Sequence, residues 1–388
     1  MQNLDFLLPE EVLMMREMVA DFAQNELAPH VIEYDETQKF PLEQVKKMGE
    51  LGLMGIPYPE EYDGANLGYL GYAVAIEEIA KVDGSTALTL AAHTSLGLGP
   101  IYLFGSDEQK KKYMPPMCRG DVIGAFGLTE PEAGSDAGGT QTTAVRENGS
   151  WVLNGQKIYI TNSNYADTFV ATAMTDRSKK TKGISSFIIE KGTPGFSIGK
   201  KENKMGCRAS DTATLHFDNC KIPAENILGK EGEGFKQFLH VLDGGRISIG
   251  AMALGLAEGA FLASAKYAQE RKQFNQPIAE FQSTQMKLAT MATEIEAARH
   301  LIYHAAKLKD AGRDYIKESS MAKLYASEVA TRTCLTAIQI HGGYGYIKEY
   351  HVERMMRDAK LCEIGEGTSE IQRLIISREI LQKGNLLA

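Results

Sequence analysis

The chain carries a single tryptophan, Trp151, and only five cysteines in 388 residues: Cys118, Cys207, Cys220, Cys334 and Cys362. Their odd number, wide scatter and lack of metal-type pairs exclude a disulfide-stapled scaffold and point to a reducing compartment, read here as cytoplasmic. Positive charge is also in short supply. A net charge of −8 argues against general nucleic-acid binding, although it leaves room for a local basic site. The runs Lys110-Lys111-Lys112 and Lys179, Lys180, Lys182 read as solvated faces. No apolar run reads as long enough to span a membrane, and the N-terminus lacks the basic-then-apolar plan of a signal peptide. There is no internal repeat and no low-complexity segment. His93, His240 and His341 have no metal-ligand spacing, so no metal site is expected.

What is present is an ordinary globular composition, 43% hydrophobic and 24% charged, in a chain long enough for two or three domains. From Pro9 to about Pro29, Met15, Met18, Val19 and Phe22 recur at helical spacing, with the methionines on the core face. Further helices are expected at about 41 to 52, 70 to 82, 85 to 104 and 107 to 113, the last capped by Ser106. After Pro115-Pro116 the texture turns to short β-prone segments: Val122 to Phe126, Trp151 to Leu153, Lys157 to Ile160, Thr168 to Ala173, Ser185 to Ile189 and Thr212 to Phe217. In the last of these, Ala213, Leu215 and Phe217 alternate with polar residues, and Asn154-Gly155 reads as a hairpin turn. With no long helices between the strands, a small antiparallel barrel or sandwich is expected. Beyond Gly229 to Gly234 come long helical patterns at about 233 to 270, 281 to 311, 316 to 341 and 369 to 383. In the second, Leu288, Met291, Ala292, Ile295, Ala298 and Ile302 form one face. The expected architecture is therefore an α+β, multidomain chain: a helical domain at 1–120, a β domain at 121–230 and a four-helix bundle at 231–388.

Near the C-terminus, Glu366 stands between Gly365 and Gly367, just ahead of a helix in which Ser369 and Gln372 have capping-box spacing. Locally this reads as a solvated acidic turn. Two other Gly-rich stretches flank regular elements: Phe126-Gly-Leu-Thr-Glu-Pro-Glu-Ala-Gly-Ser-Asp136 and Gln339-Ile-His-Gly-Gly-Tyr-Gly-Tyr-Ile-Lys-Glu349. Each can set backbone N–H groups against an anion or a flat ring system.

Taken together and in this order, with Lys157-Ile-Tyr-Ile-Thr-Asn162, Val241-Leu-Asp-Gly-Gly-Arg246 and Arg271-Lys-Gln-Phe-Asn-Gln-Pro-Ile278, these stretches resemble the acyl-CoA dehydrogenase family over essentially the whole chain. The resemblance implies FAD as cofactor and α,β-desaturation of an acyl-CoA thioester. Glu366 would be the base, and its own N–H would help hold the thioester carbonyl. It further implies that Phe126, Leu128, Thr129, Gly134, Ser135, Tyr159, Ile160 and Thr161 line the flavin, and that Arg271, Gln273, Phe274, Phe281, Gln282, Gln339, Gly342, Gly343, Thr368 and Glu370 hold the rest of FAD. Ser135, Asp243, Arg246 and Gly367 would meet the acyl-CoA, although Asp243 and Arg246 have the spacing of a plain intrahelical pair. The regions of Arg271 and Gln339 would reach the FAD of a neighbouring subunit in a homotetramer built as a dimer of dimers. An electron-transferring flavoprotein would accept the electrons.

The sequence departs from the family pattern at several places. Tyr159 stands where the family often has Trp, Asn275 where it often has Gly, and Gly365 where it often has Tyr. One branch carries its base immediately before the arginine matched by Arg246. Gly245 occupies that place here, which leaves Glu366. Loss of a ring at residue 365 opens space for a branched or cyclic acyl group, whereas the Leu88 to Leu98 stretch and the compact length resemble short- to medium-chain members. A short saturated acyl-CoA such as butyryl-CoA is the expected substrate. A flavin oxidase and a DNA-associated member of the superfamily are the alternatives, and the acidic balance speaks against the second.

Overall fold

A computed structural model describes residues 8–382. The N-terminal third is helical: α1 (Glu10–Phe22), α2 (Val31–Thr37), α3 (Leu42–Glu50), α4 (Gly68–Ala80), α5 (Gly84–Ala91), α6 (Gly99–Phe104) and α7 (Asp107–Cys118). Helix α1 buries Val12, Met15, Val19 and Phe22, each worth about 1.5–3 kcal/mol when fully removed from water. Ser106 and Gln109 close a complete capping box at α7. That helix runs on through Pro115 and Pro116 rather than ending ahead of them. Proline removes one donor per residue but does not prevent the last turn of a helix from closing.

The strands follow: β1 (Gly124–Gly127), β2 (Thr143–Glu147), β3 (Ser150–Thr161), β4 (Thr168–Met174), β5 (Ile184–Glu190), β6 (Phe196–Ile198), β7 (Thr212–Pro223) and β8 (Ile227–Leu228). They form one sheet in the order β6-β7-β3-β2-β4-β5-β8, with β1 on β4. Most pairings are antiparallel, but β1 runs parallel to β4, so the sheet is mixed. The two segments expected at Trp151 to Leu153 and Lys157 to Ile160 are one strand, β3. Asn154-Gly155 is therefore not a hairpin turn; it lies at a bulge of β3 opposite β7. The turn between β2 and β3 is Asn148-Gly149, with φ of 49° and 76°, joining the pair Glu147 and Ser150. Both dipeptides have the turn chemistry, and pairing with β7 selects between them.

The last part contains α8 (Gly234–Glu270), a two-stranded ribbon of β9 (Lys272–Gln273) and β10 (Gln276–Pro277), then α9 (Gln282–Asp310), α10 (Ile316–His341), α11 (Val352–Ile364) and α12 (Ser369–Gln382). Helix α11 had no counterpart in the sequence pattern. Along α9, Met291, Ile295, Ala298 and Ile302 are buried, whereas Ala292 faces solvent.

Helix α8 is the axis of the molecule, packing on α4 and α5 as well as on α9, α10 and α11. It and the Gly84–Phe104 segment are long and apolar enough to cross a membrane, which corrects the expectation from sequence. Over their most apolar 18 residues, 83% and 78% of positions are buried within the fold, and a core helix enclosed on every side carries the same composition as a spanning one. A charged cluster joins the helical layers. Arg299 of α9 pairs with Glu77 of α4 at 3.1 Å and with Glu258 of α8 at 2.6 Å. The guanidinium holds the Glu77 carboxyl below its ordinary range against the opposing effect of burial.

Candidate active site

Glu366 follows α11, in the turn before α12. Its φ is 53°, in the left-handed region, and Gly367 beyond it has φ 94°. A left-handed non-glycine residue costs about 1–3 kcal/mol and persists where its surroundings over-determine it. Here Gln372 donates to the carbonyls of Glu366 at 3.2 Å and Gly367 at 2.9 Å, and Lys323 of α10 donates to the Gly367 carbonyl at 2.7 Å. Gln372 thus fastens the turn and does not serve a capping box with Ser369. The hydroxyl of Thr368 instead accepts from the Ile371 N–H at 3.4 Å.

The carboxylate of Glu366 points at α8. A Cβ on Gly245 would sit 1.9 Å from Oε2, so the missing side chain at 245 is the space the carboxylate fills. Oε2 is buried and has no hydrogen-bond partner. Burial pushes the carboxyl up to about 7, against the opposing charges of Lys323 and Arg246. The helix N-terminus nearby favours the charged form, yet desolvation wins in the protein alone, before any ligand excludes water. A buried carboxylate with a free oxygen and an affinity for protons near neutrality is suited to general-base work.

Asp243 and Arg246 lie one turn apart on α8, with Arg246 Nη1 2.5 Å from Asp243 Oδ1. The intrahelical pair is therefore formed in the protein alone. Arg246 Nη1 also reaches Ser320 Oγ at 3.5 Å, while its Nε is buried without a partner.

A second constellation gathers on the β domain. The Ile158 N–H donates to the Thr129 carbonyl at 2.8 Å, which lays Phe126, Leu128 and Thr129 beside Tyr159, Ile160 and Thr161. Tyr159 sits at a β3 bulge with φ 60° and is 66% exposed, so its ring stands on the surface rather than in the strand core. Beneath the strip, buried Lys157 donates to Glu130 at 2.6 Å and to the Leu128 carbonyl at 3.2 Å. Glu130 in turn accepts from the N–H groups of Gln141 at 2.6 Å and Thr142 at 3.1 Å. Gly134 and Ser135 are exposed on the loop beyond.

A third group is separate. An open cleft of about 540 Å³ is lined by Arg271, Gln273, Tyr267, Ile278, Ile340, His341, Gly342, Gly343, Tyr344 and Ile347. It shares no lining residue with the Glu366 turn or the Phe126 strip. Arg271 lies over the Tyr344 ring at 5.3 Å and pairs with no carboxylate among the described residues. A Cβ on Gly342 or Gly343 would meet nothing within 4 Å. Phe274, 88% exposed, packs edge-on against Phe281, while Gln282, Gln339 and Glu370 are exposed on their helices.

Three family models match in succession: the acyl-CoA dehydrogenase N-terminal domain at residues 9–121, the middle domain at 125–220 and the C-terminal domain at 232–381. A short-chain-specific acyl-CoA dehydrogenase of Clostridium acetobutylicum is 54% identical over 98% of this chain and 100% of its own. The chain belongs to the acyl-CoA dehydrogenase family. Among solved structures, butyryl-CoA dehydrogenase of Megasphaera elsdenii superposes with a TM-score of 0.95 at 45% identity, covering 96% of this chain and 99% of that one. A chain from a study of the electron transferring flavoprotein of Acidaminococcus fermentans gives 0.96 at 52%, covering 97% and 100%. An acyl-CoA dehydrogenase of Bacillus anthracis, solved with FAD, gives 0.92 at 39%, covering 97% and 68%.

Measured against the FAD that this acyl-CoA dehydrogenase fold implies, the residues present fit. The half-buried strip at Phe126 to Thr129 suits a flat ring, and an arginine without a carboxylate over an open, glycine-lined cleft suits a diphosphate. Lys157, Glu130 and Lys323 escaped the sequence reading of the site. All three are buried, but no apolar face marks them in the sequence: Lys323 shares its side of α10 with the buried Ser319, Ser320 and Ser327.

Proposed function

We propose that this acyl-CoA dehydrogenase removes the α-proton of a short, saturated acyl-CoA through Glu366 and yields the trans-2-enoyl-CoA. The observation that carries the reading is the Glu366 carboxylate itself: buried, with one unpartnered oxygen, and titrating near neutrality. FAD, when bound, supplies the acceptor for the β-hydrogen as hydride, N5 being the accepting atom. Phe126, Leu128, Thr129, Gly134, Ser135, Tyr159, Ile160 and Thr161 would hold the flavin. Arg271, Gln273, Phe274, Phe281, Gln282, Gln339, Gly342, Gly343, Thr368 and Glu370 would hold the rest of the cofactor, the cleft at Arg271 serving a neighbouring subunit of a homotetramer. Exposed Phe274 and Tyr346 support such an assembly. Ser135, Asp243, Arg246 and Gly367 would orient the thioester. The Glu366 N–H would donate to its carbonyl as negative charge develops there, and excluded water would strengthen that bond. Electrons would leave to an electron-transferring flavoprotein, in the cytoplasm.

A branched acyl group is a second reading, favoured by Gly365, where a Cβ would lie no closer than 3.4 Å to any atom. The test is anaerobic addition of butyryl-CoA and of a branched ester to the holoenzyme while the flavin absorbance is followed. Butyryl-CoA is expected to bleach the flavin, and Glu366→Gln to lose nearly all of that rate. Unimpaired bleaching in the variant would remove Glu366 from its role.

A further inference from the structure

Lys323 is a cation that the chemistry above leaves unused. It lies on α10 with 0% exposure, and its ammonium forms no ion pair among the described residues. An ammonium in such a place is costly unless a counter-charge faces it. Its own hydrogen bond goes to the Gly367 carbonyl at 2.7 Å, the residue after the base. The charged and titratable groups facing it are Cys362 and Glu363 of α11, Arg246 of α8 and Glu366. Glu363 is already taken by Lys360 at 2.6 Å, and Arg246 by Asp243 at 2.5 Å. Cys362 is a buried thiol whose own ionisation is pushed up to about 12. Glu366 is thus the carboxylate left to balance Lys323. In turn, Glu366 is faced by Lys323, by Arg246 and, from α4, by the buried hydroxyls of Tyr69 and Tyr72.

We propose that Lys323 is the positioning residue of the proton-transfer step: its ammonium pins the Gly367 carbonyl, which fixes the left-handed turn at Glu366, and its charge keeps that carboxylate ionised in a dry site. This rests on the reading of Glu366 as base. When the α-proton moves to the carboxylate, Lys323 loses its counter-charge. Consistent with that coupling, burial lowers the ammonium to about 8, with Cys362 and Glu366 opposing the shift.

The test compares Lys323→Met, Lys323→Gln and Lys323→Arg holoenzymes by the pH profile of kcat/KM and by infrared difference titration of the protonated carboxyl, assigned by subtracting Glu366→Gln. Removing a facing cation moves a carboxyl by about one pH unit or more. Met and Gln are therefore expected to shift both the acid limb and the infrared titration upward by that amount, and Arg to restore them. Gln keeps a donor for the Gly367 carbonyl without the charge, so it separates the two roles. The infrared titration needs no turnover, and whichever neutral variant folds supplies the comparison. Profiles of Lys323→Met or Lys323→Gln that superpose on those of wild type overturn the proposal, and if neither neutral variant folds, Lys323→Arg profiles that depart from wild type overturn it. If Glu366→Gln bleaches normally, it is the base assignment that fails.

Discussion

Gly245→Ala adds one methyl group at the point where α8 meets the Glu366 carboxylate. The new Cβ would lie 1.9 Å from Oε2 in the present geometry, whereas ordinary contact begins near 3.4 Å. The carboxylate must therefore retreat by about 1.5 Å, and misplacement of a reacting group by about 1 Å costs on the order of 100-fold in rate. A loss of that size is about 2.7 kcal/mol in the barrier. Stability moves little, because alanine is favoured over glycine in a helix by about 0.5–1 kcal/mol and the displaced atom is the end of a flexible side chain. The assay is stopped-flow bleaching of the holoenzyme flavin by butyryl-CoA, with thermal unfolding measured alongside. Glu366→Asp shortens the base, so in the Gly245→Ala background it should cost less than it does alone, a non-additivity expected only of groups in contact. Wild-type bleaching in Gly245→Ala, or strict additivity of the pair, would refute the assigned geometry.

Other outcomes follow from the same turn. Because the folded pKa of Glu366 is raised from 4.5 to about 7, its protonated form favours the folded state below the unfolded value, and that stability is lost as pH rises through 7. Glu366→Gln should therefore be more stable than wild type at pH 8, by up to about 3 kcal/mol, with the gap closing toward pH 4.5 in parallel scanning calorimetry. Gly365→Tyr should fold normally, since a Cβ there meets Leu361 at no less than 3.4 Å, yet it should depress bleaching by a branched acyl-CoA at least tenfold more than bleaching by butyryl-CoA. Equal effects on the two esters would place residue 365 outside the acyl-binding space.

Much of this was legible in the chain because it depends on local physics. The face of α1, the alternation along β7, the cap at Ser106 and the glycine pair around Glu366 each follow from periodicity or from backbone freedom within a few residues. The errors arose where a partner distant in sequence decides. Asn154-Gly155 and Asn148-Gly149 offer the same turn chemistry, and only pairing with β7 shows that the first is a bulge and the second the hairpin. Helix α8 is long and apolar enough to span a membrane, which the sequence reading missed, and α4, α9 and α10 enclose it. Sequence alone determined the helical, β, helical order, the identity of Glu366 as the candidate base, and the motifs that carry the family resemblance. Tertiary structure decided what surrounds that carboxylate. The gap at Gly245, the lone ammonium of Lys323 and the removal of water are supplied by helices more than 40 residues away along the chain. Desolvation and charge pairing act through space, so no reading of neighbouring residues contains them.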